Sequence, residues 1–175
     1  MLGSVLGRRS FLLSVWSWAL GSVTADDRAL NERAPEFELK DQYDKAYSYR
    51  FPKSRITILT LGDRNGAEQI EAWVRPVYDR YQDRVEQYGI AVLNAVPLLL
   101  RGMVRGMFKN KVKHSVLLDW KGDVAKSLNY QSKQANVVVV NRSGQVVYRT
   151  KGAATAAELQ KLYQEVDRLL AEAGQ

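Results

Sequence analysis

The run Ile56-Thr57-Ile58-Leu59-Thr60-Leu61 passes through Gly62-Asp63-Arg64-Asn65-Gly66 straight into a stretch where Ile70, Trp73, Val74, Val77, Tyr78 and Tyr81 recur three and four residues apart. The first part has the β-rich apolar character of a buried strand, and the second has the period of a helix with one apolar face. A buried strand that ends in a glycine turn and feeds a helix restricts the chain to α/β architectures. In these, ligands and chemistry gather at the carboxyl end of a central strand. Residues 62–68 are therefore the first candidate site.

The remaining segments fit around that unit. Phe37 and Leu39 alternate with Glu36, Glu38 and Lys40, and Tyr47, Tyr49 and Phe51 alternate again after a polar turn at 41–45, which predicts a β-hairpin. Gly89 to Leu93 is a second short apolar run. With the first strand and helix it forms a βαβ unit, with parallel pairing and a right-handed crossover expected. Pro97 to Val112 reads as a helix with Leu99, Leu100, Met103, Val104, Met107 and Phe108 as its apolar set, and with Arg101, Arg105 and Lys109 spaced four apart on a shared face. Ser115 to Leu118 reads as a strand, Asp119 to Gly122 as a turn, and Val124 to Leu128 as a short helix. Asn136 to Val140 and Gln145 to Tyr148 predict a hairpin closed at Gly144. Thr155 and Glu158 have capping-box spacing ahead of an amphipathic terminal helix carrying Leu159, Leu162, Val166, Leu169 and Leu170.

At 175 residues the chain has room for one domain with a core of its own. The first 25 residues differ in kind. Arg8 and Arg9 precede an uncharged run from Phe11 to Val23 that ends in Val23-Thr24-Ala25, the layout of a secretory signal peptide cleaved after Ala25. The Arg8-Arg9 pair also resembles the twin-arginine export signal. The organisation expected is a signal peptide over 1–25, a linker over 26–34 and one domain over 35–172, exported most simply to a bacterial periplasm. Removing the two arginines lowers the formal charge from +7 to +5, since 7 − 2 = 5. An uncleaved N-terminus would instead provide membrane contact.

The candidate residues each carry two readings. At the 62–68 turn, Gly62, Asp63, Arg64, Asn65 and Glu68 stand at a helix N-terminus, whose N–H groups and dipole suit a carboxylate, a phosphate or a peptide carbonyl, with Arg64 as a forked donor. The plainer reading has Asp63 or Asn65 capping the helix and Arg64 pairing with Glu68. Arg101, Arg105 and Lys109 form a secondary basic patch, either for an anionic partner or lipid headgroups or as a solvated helix face. No base-stacking aromatics are interleaved with these cations, which argues against nucleic acid. With one histidine, His114, and no cysteine, a zinc site and a Cys-His nucleophile are excluded, and no cofactor or metal is expected. Asp119 serves as a general base or as a cap for the following segment.

The hairpin opening at Ala34-Pro35-Glu36-Phe37-Glu38-Leu39, the strand–turn–helix at 56–81 and the closing hairpin and helix together resemble the thioredoxin superfamily, especially its peroxiredoxin-like and thiol-disulfide reductase-like domains. The wording from Val137 to Leu170 is similar to the periplasmic YtfJ-type branch. The resemblance implies a thioredoxin-like three-layer α/β sandwich, with a central mixed β-sheet, helices on both faces and an N-terminal β-hairpin. It also places the redox cysteine pair at about Asn65 and Glu68, and a cis-proline near Ala135. The chain has none of these residues at those positions, and no cysteine anywhere. Thiol-disulfide exchange and peroxide reduction both require a thiolate, so neither is available to its own side chains. The expectation is a non-catalytic domain that binds a protein or peptide partner through the 62–68 turn. The alternatives are an enzyme using Asp63, Glu68, Asp119 or a bound cofactor, and a protein attached to a membrane surface.

Overall fold

The computed structural model describes residues 32–172. The expected signal peptide over 1–25 and most of the expected linker lie outside the described residues.

Strands β1 (Phe37–Lys40) and β2 (Ala46–Tyr49) pair antiparallel, with Phe37 opposite Tyr49 and Leu39 opposite Tyr47. The main sheet contains β3 (Ile56–Gly62), β4 (Val85–Val92), β5 (Val116–Asp119), β6 (Asn136–Val140) and β7 (Val146–Lys151), in the order β5-β4-β3-β6-β7. β3, β4 and β5 run parallel, while β6 is antiparallel to β3 and β7 to β6. β3 is central, and all seven of its residues are buried. The continuous apolar run of the sequence thus reflects a strand covered on both faces.

Among the described residues four helices flank the sheet: α1 (Ala67–Tyr81), α2 (Arg101–Lys111, preceded by a 3₁₀ turn at Leu98–Leu100), α3 (Asp123–Ser127) and α4 (Ala156–Glu172). On one face of the sheet Trp73, Val77 and Tyr81 of α1 meet Leu162, Val166 and Leu169 of α4 over Ile56, Ile58, Val137 and Val139. α2 extends this layer, setting Val104 and Phe108 against Ala91, Leu93 and Leu118. The alternate residues Leu59, Leu61, Ile90, Val138 and Val140 point to the other face, where the hairpin's Phe37 and Tyr49 and Val124 and Ala125 of α3 close over them. Each such side chain taken fully out of water contributes about 1.5–3 kcal/mol.

Two sequence expectations shift. β4 begins at Val85, four residues before the apolar run at Gly89, because Glu86, Gln87 and Tyr88 pair in register with β3 although their polarity hides the strand. Glu86 is held there by Lys53 at 2.7 Å, whose ammonium also lies over the rings of Tyr49 and Tyr88. Tyr78, placed by spacing on the apolar face of α1, is 61% exposed, so the stripe that packs is the narrower Trp73–Val77–Tyr81. Among the described residues no helix is long and apolar enough to cross a membrane.

Candidate functional site

The turn after β3 is organised by one carboxylate. Asp63 Oδ1 accepts the backbone N–H groups of Asn65 (2.9 Å) and Gly66 (2.8 Å), and Oδ2 accepts the N–H of Lys133 at 2.8 Å. The Asp63 N–H itself donates to the Tyr130 hydroxyl at 2.8 Å. Its carbonyl accepts the Ala67 N–H at 2.9 Å, which starts α1. Burial acts to raise the Asp63 pKa, but the N–H groups of Lys133, Gly66 and Asn65 favour the anion more, and the result lies below the ordinary aspartate value. Tyr130 moves the other way: burial and the nearby carboxylate push its phenol up to about 12, so it is a neutral hydrogen-bonding group at any physiological pH.

The loop 130–136 is stitched to this turn from its own side. Asn136 donates to the carbonyls of Gln131 and Gln134 and accepts the Gln131 N–H, which fixes the loop's shape. Gln69 of α1 accepts the Ala135 N–H at 3.1 Å. At Gly66 the two segments touch: a Cβ there would stand 2.5 Å from the Gln134 carbonyl oxygen, so only glycine fits without moving backbone. Ala135, at the position expected for a cis-proline, is fully buried. It faces a turn that is already closed upon it.

The predicted site residues therefore separate into two groups. Gly62 and Asp63 are structural, with Gly62 buried against Ile70 and Asp63 consumed by its four backbone contacts. Arg64, Asn65 and Glu68 are exposed on the outer rim. Neither capping candidate's side chain bonds an N–H of α1 itself: Asp63 Oδ1 takes the Asn65 and Gly66 N–H groups just ahead of the helix, and the Asp63 carbonyl takes that of Ala67. No ion pair joins Arg64 to Glu68, and among the described residues the side chains of Arg64, Asn65 and Glu68 make no hydrogen bond or ion pair. A shallow polar cleft lies beside the loop, lined by Leu128, Asn129, Gln131, Asn136, Arg149 and Glu158.

The other candidates resolve differently. Asp119 is buried and accepts the N–H groups of Gly122 (2.8 Å) and Ala125 (3.0 Å), which makes it the cap of α3 and leaves it no free face for proton transfer. The basic row of α2 is not a uniform solvated face. Arg101 folds back over the Trp120 ring at 5.3 Å and donates to the Trp120 carbonyl, and Arg105 pairs with Asp44 at 2.8 Å. Lys109 alone of the three is exposed. Among the described residues no group of three His, Cys, Asp or Glu side chains is placed to hold a metal ion. Sequence reasoning missed Gln69, Tyr130 and Lys133, whose partners lie almost seventy residues away in the chain and leave no local pattern.

No protein-family model and no curated protein sequence matches the chain. Solved structures do. The exposed lipoprotein thioredoxin Etrx1 from Streptococcus pneumoniae strain TIGR4 superposes with a TM-score of 0.62 at 14% identity, over 77% of this chain and 100% of that one. StoA from Bacillus subtilis gives 0.57 at 20% identity, over 74% and 97%. An uncharacterized conserved protein from Geobacillus kaustophilus gives 0.63 at 16% identity, over 82% of each. The mixed five-stranded sheet, its helices and the N-terminal hairpin are a thioredoxin-like α/β fold. More particularly, the chain is a thioredoxin-like domain without cysteine, so thiol exchange at its own side chains is ruled out.

Proposed function

We propose that this is an exported, non-catalytic binding domain that takes a protein or peptide segment on the rim of the 62–68 turn. One observation carries the reading: Asp63 immobilises the turn through backbone contacts, while the adjacent Arg64, Asn65 and Glu68 side chains are exposed and unpaired. A rigid turn that holds a cation, an amide and an anion facing water loses little conformational entropy when it is engaged, which is what preorganised recognition requires. The resemblance of 137–170 to the periplasmic YtfJ-type branch and the signal-like residues 1–25 support export.

The test is capture from a periplasmic extract by the purified chain and by its Arg64→Ala, Glu68→Ala variant, followed by titration of the captured segment as a synthetic peptide. Capture and peptide binding by the first, and loss of both in a variant with an unchanged melting temperature, is the expected result. Equal binding by both forms, or none by either, removes the assignment.

A further inference from the structure

The outward face of the segment 98–107 has the wrong polarity for water. Leu98 and Leu99 are 75% and 95% exposed, and Leu100, Met103 and Met107 are exposed with them. At 3.6 residues per turn, Leu100, Met103 and Met107 lie on one stripe, and Lys111 continues it one turn further on. The cations expected to face solvent are instead spent inward: Arg101 lies on Trp120 and Arg105 pairs with Asp44. Gly102 and Gly106 border the stripe and face open space, so the helix backbone can approach a flat surface closely. Lys109, Lys111 and Lys113 are exposed at the far end. Between Glu86 and Asp119 the chain has no acidic residue and five cations.

We infer that the 98–113 segment is a membrane-surface docking element, which places Leu98, Leu99, Leu100, Met103 and Met107 in the acyl boundary of an anionic phospholipid layer while Lys109, Lys111 and Lys113 meet its phosphates. An apolar ridge continuous with a cationic end, on a helix of low overall hydrophobicity, is the composition of a helix that lies in an interface and does not cross it. Charge decides among the occupants. A second copy in a symmetric contact would offer the exposed Lys109, Lys111 and Lys113 no acidic partner from the same segment. An anionic lipid surface supplies the missing charge at that cationic end.

The absence of cysteine makes the test site-specific in the full chain. Met103→Cys accepts a single environment-sensitive nitrobenzoxadiazole label, and Arg142→Cys, in the exposed loop between β6 and β7 at the opposite end of the sheet, is the control. Each labelled chain is mixed with phosphatidylcholine vesicles, with and without phosphatidylglycerol. Because residues 11–23 form an apolar run that can partition unaided, the comparison is between label positions and with a Lys109→Gln, Lys111→Gln variant. The label at 103 is expected to brighten and shift blue only with phosphatidylglycerol. The label at 142 is expected to stay unchanged, and each neutralised lysine to weaken the response about fivefold, the scale of one basic residue at an anionic surface. No response at 103, equal response at both positions, or indifference to the lysines overturns the inference. A blue shift at 103 that grows with protein concentration in the absence of lipid also overturns it, in favour of a second copy.

Discussion

Helices α1 and α2 occupy the same place in the topology and are attached to it in opposite ways. Each connects two parallel strands, α1 from β3 to β4 and α2 from β4 to β5, and both lie on the same face of the sheet. α1 buries Trp73, Val77 and Tyr81, and the Trp73 indole donates to the Gly152 carbonyl at 2.8 Å. α2 buries no residue to that depth; it is held by the half-buried Val104 and Phe108 and by two arginines tied to Trp120 and Asp44. A crossover helix thus need not be part of the core. Where the sheet asks less of it, its apolar residues are released for another surface.

Substitutions can break or sharpen that contrast. The largest effect belongs to Trp73→Ala, which removes the biggest buried side chain of α1 and its hydrogen bond. A loss of about 3–5 kcal/mol by denaturant unfolding is expected. Next is Gly66→Ala, where the added methyl meets the Gln134 carbonyl. A cost of about 1–3 kcal/mol is expected, with chemical-shift changes concentrated at 133–136.

Acid titration probes the same junction. Asp63 and Asp41 both have folded-state pKa values below the ordinary one, Asp41 because the Ser115 hydroxyl and the N–H groups of Tyr43 and Lys45 together outweigh its burial. A lowered carboxylate stabilises the fold fully above its unfolded pKa of about 3.9, and that stability is lost as pH falls through the lower folded value. Unfolding free energy should therefore be flat between about pH 5 and about pH 9 and decline below about pH 4. Asp63→Ala, expected to cost about 1–2 kcal/mol at neutral pH, should make the acid limb shallower. The smallest effect is on α2: Leu99→Ser should change stability by less than about 0.5 kcal/mol. A loss as large as that of Trp73→Ala would mean that the outward face is covered in the folded chain, and the contrast between the helices would fail.

Much of the fold was legible in the sequence because it rests on local periodicity. The alternation at 37–51, the continuous apolar run of β3 and the i, i+3, i+4 spacing of α4 each state their own structure. Thr155 supplies half of the anticipated capping box by accepting the Glu158 N–H at 3.2 Å, while the Glu158 carboxylate turns to Thr150 and Lys161. What stayed hidden depends on which face meets which neighbour. In α2 the apolar and basic residues have ordinary amphipathic spacing, yet Trp120 and Asp44 draw the arginines inward and leave Leu99 and Met103 outside. At the candidate site the turn could be read, but its closure by Tyr130, Lys133 and Gln134 could not, since a hydrogen bond between residues about seventy apart writes nothing into either local pattern.

The contact between Gly66 and Gln134 also bears on what the turn could be engineered to do. A chain given cysteine at 65 and 68 would still have the loop carbonyl pressed on Gly66, and the Asp63 carboxylate, already bonded to the residue 65 N–H, would disfavour a thiolate beside it. Two substitutions would supply the atoms without supplying the chemistry. The closed turn is itself the barrier: thiol exchange there would require the loop to be opened by further changes that bring no redox gain of their own.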